Sequence, residues 1–321
     1  MRVIGIIAAV LVVVFGLAAA VTFVVFPRVS VAEKGNVPRT TDAARRGLYL
    51  ANYVMGCIDC HSRREEDLYS MPPIRSAEFG GGFVFSRAMG FPGNIVTPNI
   101  TQGALEDWTD GEVVRAIAAG VSRDGRPLFP LMPYHNFGTL DKEDIEAVVA
   151  YLRLVPAVRR AVPETTIDFP VNVLIRFMPK DPVFRMRPNP REAVAYGEYM
   201  VRAAGCAECH TVLDARGNPA GPPFAGGMEM LHPGRFLVRP TNITPDVETG
   251  IGAWTREQFI DRFKAKTEED YRNTPAQRGS RNTLMPWWAF AGMTREDLGA
   301  IYDYLRTVPA VRNEVVTFEP R

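Results

Sequence analysis

The sequence predicts a mainly helical protein built from two copies of one domain behind an apolar N-terminal segment, and three observations predict it. The motif C-x-x-C-H occurs at Cys57–His61 and again at Cys206–His210, using all four cysteines of the 321-residue chain. Further short stretches recur between the halves in the same order. Where apolar residues are periodic, the period is helical, and nothing reads as a long alternating strand.

The first element is apolar. No charge lies between Val3 and Phe26, a run of 24 residues against the roughly 20 that a helix needs to cross a bilayer. Ala18-x-Ala20 resembles a signal cleavage site, but Val21 and Phe23–Phe26 continue the apolar run beyond it. Residues 1–28 are therefore expected to be a retained transmembrane helix in contact with the lipid bilayer. The expected location is the bacterial inner membrane, single-pass, with the rest of the chain on the periplasmic side.

The repeat follows. Gly47-Leu48-Tyr49 answers Gly197-Glu198-Tyr199 shortly before each C-x-x-C-H, and "PNIT" from Pro98 answers "TNIT" from Thr241. "WTDGEVVRAI" from Trp108 answers "WTREQFIDRF" from Trp254. "LMPYHNF" from Leu131 answers "LMPWWAF" from Leu284, and "AYLRLVPAVR" from Ala150 answers "DYLRTVPAVR" from Asp303. The separation is 149 at the cysteines, 143 at N-I-T, 146 at the tryptophans and 153 at the methionines, as expected when loops vary and elements are kept. A period this long is a duplicated domain, not a solenoid. The expected copies are residues 39–160 and 191–321, joined by a linker over 161–190 whose six prolines disfavour a continuous helix or central strand. Its apolar piece Val171–Met178 is expected to pack on the chain's own domains.

Caps place the helices. Asp42 is a candidate N-cap for a helix running through Tyr49 to Val54. Thr109 with Glu112, and Thr255 with Gln258, have capping-box spacing. The last helix of each copy is expected to begin near Asp141 and Thr294, with Ile145, Val148, Val149 and Leu152 forming one stripe and Leu298, Ile301, Tyr302 and Leu305 the other. Pro156 and Pro309 mark their ends.

The twin motif carries the chemistry. A redox pair leaves the histidines and the duplication without a role, and a four-ligand zinc site leaves the histidines spare. In the remaining reading every residue is used: the two thiols form thioethers to a haem and the following histidine reaches its iron. Two covalently bound haem c groups are expected, on Cys57, Cys60 and His61, and on Cys206, Cys209 and His210. The opposite axial position has candidates in Met71, Met89 and Met132, and in Met228, Met230, Met285 and Met293. Met132 and Met285 share their place in the repeat, each before a proline that restrains the methionine backbone to extended conformations. They are the expected sixth ligands. His135 is the rival at the first site, but its counterpart is Trp288, which cannot ligate. His232 is expected to serve packing or surface, and Asn99 and Asn242, with Trp108 and Trp254, to order loops through hydrogen bonds.

Charge excludes other classes. Residues 39–160 hold 14 basic and 15 acidic side chains and residues 161–321 hold 20 of each, so no basic face suggests nucleic acid. No Gly-rich nucleotide fingerprint or catalytic cluster is present. The chain therefore reads as an electron carrier or non-catalytic subunit, the alternatives being a dihaem cytochrome c peroxidase-type enzyme and a subunit of a terminal oxidase.

"TPNIT", "DGRPLFPLMPYHNF" and "TNITPDVETGIGAWT", together with the linker "IDFPVN", resemble the cytochrome c subunits of membrane-bound alcohol and gluconate dehydrogenases over nearly everything after residue 40. The resemblance implies two class I cytochrome c domains with His/Met ligation, His61 with Met132 and His210 with Met285. It implies electron flow from a membrane-bound or periplasmic dehydrogenase towards a respiratory complex. Two departures stand out: such subunits usually have three haem domains, and a charged insertion around Lys266–Thr283 replaces the "DGRPLFP" run in the second copy.

Overall fold

The computed structural model describes residues 26–30, 35–214, 218–276 and 280–321, with isolated positions between residues 4 and 25. Its regular structure is mainly helical, with two small three-stranded antiparallel sheets.

In the first half, helix Thr41–Tyr49 continues as a π-helical turn, Leu50–Val54, and leads into the short helix Cys57–Cys60. Its N-cap is Thr40, whose hydroxyl accepts from the Ala43 N–H; Asp42 sits in the first turn instead, where a carboxylate favours the helix dipole. Helices Asp110–Ala119 and Arg256–Lys264 each begin with a complete capping box, on Thr109/Glu112 and Thr255/Gln258. Helices Lys142–Leu152 and Arg295–Leu305 start at N-caps Asp141 and Thr294, as the sequence requires.

The opening and closing helices of each half pack on one another: Thr41–Tyr49 on Lys142–Leu152, and Ala193–Ala203 on Arg295–Leu305. Glycine makes that approach possible. A Cβ at Gly47 would lie 1.8 Å from the Ala147 carbonyl oxygen, and one at Gly197 would lie 1.9 Å from that of Ala300. The glycines of the G-x-Y signatures are thus the points of closest backbone contact.

The linker does not stand apart. Thr166–Ile167 pairs with Gly93–Asn94 and completes the sheet that begins with Val84–Phe85. Phe318–Pro320 completes the second sheet in the same way, on Phe236–Val238 and Met230–His232. Within Val171–Met178, Ile175 is buried and the Phe177 ring lies tilted against Phe26 with centroids 4.6 Å apart, while Leu174 is exposed.

The main hydrophobic core runs through both halves, from Leu50, Val54 and Ile145 to Met200, Trp288 and Leu298. Two crossed contacts seal it. The Tyr49 hydroxyl donates to Asp297 at 2.5 Å and accepts from the Thr294 N–H, while the Tyr199 hydroxyl donates to Asp144 at 2.6 Å and accepts from the Asp141 N–H. Each half's tyrosine therefore caps the last helix of the other half.

One expectation is overturned. Among the described residues no helix is long and apolar enough to cross a membrane. The longest, such as Lys142–Leu152, have 11 residues, or about 16 Å at 1.5 Å per residue, half of a hydrocarbon core. Most of the 1–28 stretch lies outside the described residues, so the transmembrane helix, its bilayer contact and the single-pass inner-membrane location are withdrawn.

Candidate functional site

Each C-x-x-C-H begins at a glycine N-cap in the left-handed region, Gly56 at φ 66° and Gly205 at φ 64°, which turns the chain from the preceding helix into the motif. The four cysteines are free thiols. Burial pushes Cys60 up to about 11 and Cys57, Cys206 and Cys209 up to about 12, so they stay neutral at physiological pH and lack the thiolate character of redox cysteines.

His61 and His210 are buried and held alike. His61 Nδ1 lies 2.9 Å from the Pro98 carbonyl oxygen, and His210 Nδ1 lies 2.7 Å from that of Thr241. A ring whose Nδ1–H donates to a carbonyl presents a lone pair at Nε2, the tautomer a metal ligand needs. Burial lowers both histidines, which also favours the neutral ring. Their own carbonyls accept from Gly81 N at 2.8 Å and Gly226 N at 2.7 Å. The N-I-T segments that supply the partner carbonyls are tied down by matched bonds. Asn99 donates to the Val158 carbonyl and Asn242 to that of Val311, both at 2.7 Å. The side-chain oxygens of these asparagines accept from Thr101 and Thr244. The two asparagines thus order backbone, as their place in the repeat suggested.

Met132 and Met285 sit in one backbone motif repeated. Tyr134 N–H donates to the Met132 carbonyl and Trp287 N–H to that of Met285, each at 2.8 Å around a central proline. Pro133 has φ −80° and ψ 50°, and Pro286 φ −79° and ψ 64°, an inverse γ-turn in both cases. Both methionines are half-buried against the shared core. Of the other candidates, Met71 and Met230 lie in a small cluster that packs on Leu284, Met228 is half-buried outside regular structure, Met293 is in the main core, and Met89 is in a 3₁₀ turn. His135 is exposed, and His232 is buried on a strand beside the Phe236 ring.

The middle residue of each motif was not singled out from the sequence. Asp59 is buried in an ion pair with Arg64 at 2.6 Å, and Glu208 accepts from Asn136 of the other half. Burial raises both carboxyls. The Tyr134 hydroxyl is buried with no protein partner, whereas the buried Trp288 side chain lies beside the Asp59 carboxyl. Buried polar groups normally find partners, so an unpartnered hydroxyl beside the first Met-Pro turn, with unpaired thiols and Nε2-presenting histidines, fits a bound group that itself carries acceptors. Haem meets that description.

Comparison with known proteins agrees. Residues 194–309 match the cytochrome c family model, a span that contains the second C-x-x-C-H. The chain is 26% identical over 83% of its length to the cytochrome c subunit of a quinone alcohol dehydrogenase of Gluconacetobacter polyoxogenes, covering 56% of that protein. It is likewise 26% identical over 83% of its length to the gluconate 2-dehydrogenase cytochrome c subunit of Pantoea cypripedii, covering 59% of it. To a dihaem c-type cytochrome of Cereibacter sphaeroides it is 25% identical over 80% of its length and 83% of that chain. It thus spans a little over half the length of the two dehydrogenase subunits. The chain resembles cytochrome c subunits, which supports covalent haem c and electron transfer, not substrate catalysis, as its work.

Proposed function

We propose that the protein is a dihaem electron carrier of two tandem class I cytochrome c domains, over residues 39–160 and 191–321 with the linker 161–190. The observation that carries this is the duplicated histidine geometry, in which Nδ1 is engaged by a backbone carbonyl and Nε2 is left to a metal in both halves. Cys57 and Cys60, and Cys206 and Cys209, would hold the haems through thioethers. His61 with Met132, and His210 with Met285, would supply the axial ligands. Haem bound in this way takes up and releases one electron at a time, and methionine as the sixth ligand raises its potential. The residues themselves exclude water, fix the histidine tautomer and hold the methionine turns in one geometry, so little needs to rearrange on electron transfer. The names of the relatives support a dehydrogenase as electron donor, with a second redox protein as acceptor.

Mass spectrometry of the intact chain is expected to show two added haems, and Cys57→Ala with Cys60→Ala to show one. A reductive titration should consume two electrons per chain. One haem on the unsubstituted chain, or two on the double variant, would overturn the assignment.

A further inference from the structure

The two largest length differences between the halves lie at places that meet. From His61 to Phe79 the first half has 18 residues where His210 to Phe224 has 14, and the second half gains seven residues between its tryptophan-led helix and Met285. The longer first-half loop packs along this insertion. Tyr69 N–H donates to the Thr274 carbonyl at 2.9 Å, Ala276 N–H to that of Asp67 at 2.8 Å, and the Tyr69 and Tyr271 rings stack 6.2 Å apart. Arg272 spans both segments, reaching the Pro73 carbonyl at 2.6 Å and Glu78 at 2.8 Å.

This contact ends on the second methionine turn. Ser70 is fully buried; its hydroxyl donates to the Met285 carbonyl at 2.6 Å and accepts from the Trp287 N–H at 3.0 Å, bridging both ends of the Met-Pro turn. Ser70 N–H donates to Asn282 Oδ1 at 2.8 Å, and Asn282 Nδ2 returns a bond to the Leu68 carbonyl at 3.2 Å. Ser70 and Met71 adopt φ of 65° and 43°, a strained left-handed pair that persists because its surroundings fix it. The first turn has no such brace among the described residues: the bond recorded for the Met132 carbonyl comes from Tyr134 N–H in the same turn.

We propose that Ser70 is a positioning residue for the second site, so that the Met285 sulfur is set by the first half of the chain while the Met132 sulfur is set locally. This rests on the His/Met ligation proposed above. The two irons then differ in how readily they lose methionine, although their ligand sets match.

The test uses the full haem-loaded chain. Ser70→Gly removes the hydroxyl and suits the left-handed backbone. Covalent attachment should keep both haems in place, so methionine loss can be read directly. The sulfur-to-iron absorption band of the oxidised protein should fall by about half, and the reduced protein should bind one carbon monoxide per chain where the unsubstituted protein binds none. In a Met132→Ala background the same change should raise carbon monoxide uptake from one to two; in a Met285→Ala background it should add nothing. A full band and no uptake in Ser70→Gly, or uptake at the first site, would overturn the inference alone. An unsubstituted protein lacking the band would overturn the ligation and this inference with it. Should Ser70→Gly not fold, a guanidinium titration of the unsubstituted protein decides: loss of the band in two equal steps supports unequal bracing, and a single step overturns it.

Discussion

The two halves seat the segment that leads into them in different ways. In the first, the lead-in is held by the half's own Asp110, which accepts from Val37 N–H at 3.0 Å and pairs with Arg153 at 2.9 Å. In the second, the matching position is Arg256, half-exposed and 3.4 Å from Asp303. There the lead-in is held by the other half instead. Arg187 N–H donates to Asp141 and its guanidinium pairs with Asp144, while Val183 and Arg185 donate to the carbonyls of Gly138 and Leu140. A duplicated sequence thus gives two similar folds but not two independent ones. The second copy leans on the first, through the linker and through the Ser70 contact.

The largest expected effect breaks this contrast directly. Asp110→Ala leaves the buried Arg153 without its carboxylate partner, though still bonded to the Leu105 and Trp108 carbonyls, and should cost about 3 kcal/mol, whereas Arg256→Ala should stay within about 0.5 kcal/mol. Equal losses in denaturant unfolding would mean that the two positions do the same work. Next come the helix crossings, where the halves should agree. Gly47→Ala and Gly197→Ala each drive a methyl into backbone that cannot yield, at about 2–3 kcal/mol apiece by the same measurement. A tolerated substitution in one half would show that its crossing is looser than described.

The crossed tyrosines come third. Tyr49→Phe and Tyr199→Phe each remove a hydrogen bond to a carboxylate and should cost about 1.5–3 kcal/mol. Their sum in the double variant tells whether the two contacts act separately. The smallest effect concerns pH. Burial pushes the Asp144 carboxyl up, but Arg46, Tyr199 and Arg187 outweigh it and hold it below its ordinary value. A carboxyl lowered on folding adds stability above its unfolded value of about 3.9, and that stability is lost as pH falls through the folded value. Stability measured from neutral pH down through about pH 3 should therefore decline less steeply in Asp144→Asn than in the parent chain. An unchanged slope would remove Asp144 from the acid response.

What could be read in advance was local or repeated. Capping boxes at Thr109 and Thr255, N-caps at Asp141 and Thr294, and the alignment of Met132 with Met285 are set by residues a few positions apart, or by the same string written twice. The Asp42 cap failed because Thr40, Thr41 and Asp42 all suit that role, and only the extended backbone of Thr40 selects one. The membrane helix is withdrawn because no helix long and apolar enough to cross a bilayer is found among the described residues, and most of residues 1–28 lies outside them.

Legible from residue order alone were the repeated motifs, the capping boxes and N-caps of four helices, the two C-x-x-C-H sites and the shared repeat position of Met132 and Met285. Only the tertiary structure decided that Tyr49 and Tyr199 cross to the opposite half, that the linker strand completes the first sheet, and that Ser70 reaches Met285 from 215 positions away. The physical reason is range. Caps and turns are satisfied within a few residues, so their partners are written beside them. A buried hydroxyl or carboxylate far from its partner in sequence finds it only when two faces come together and leave each other as the one alternative to an unpaired polar group.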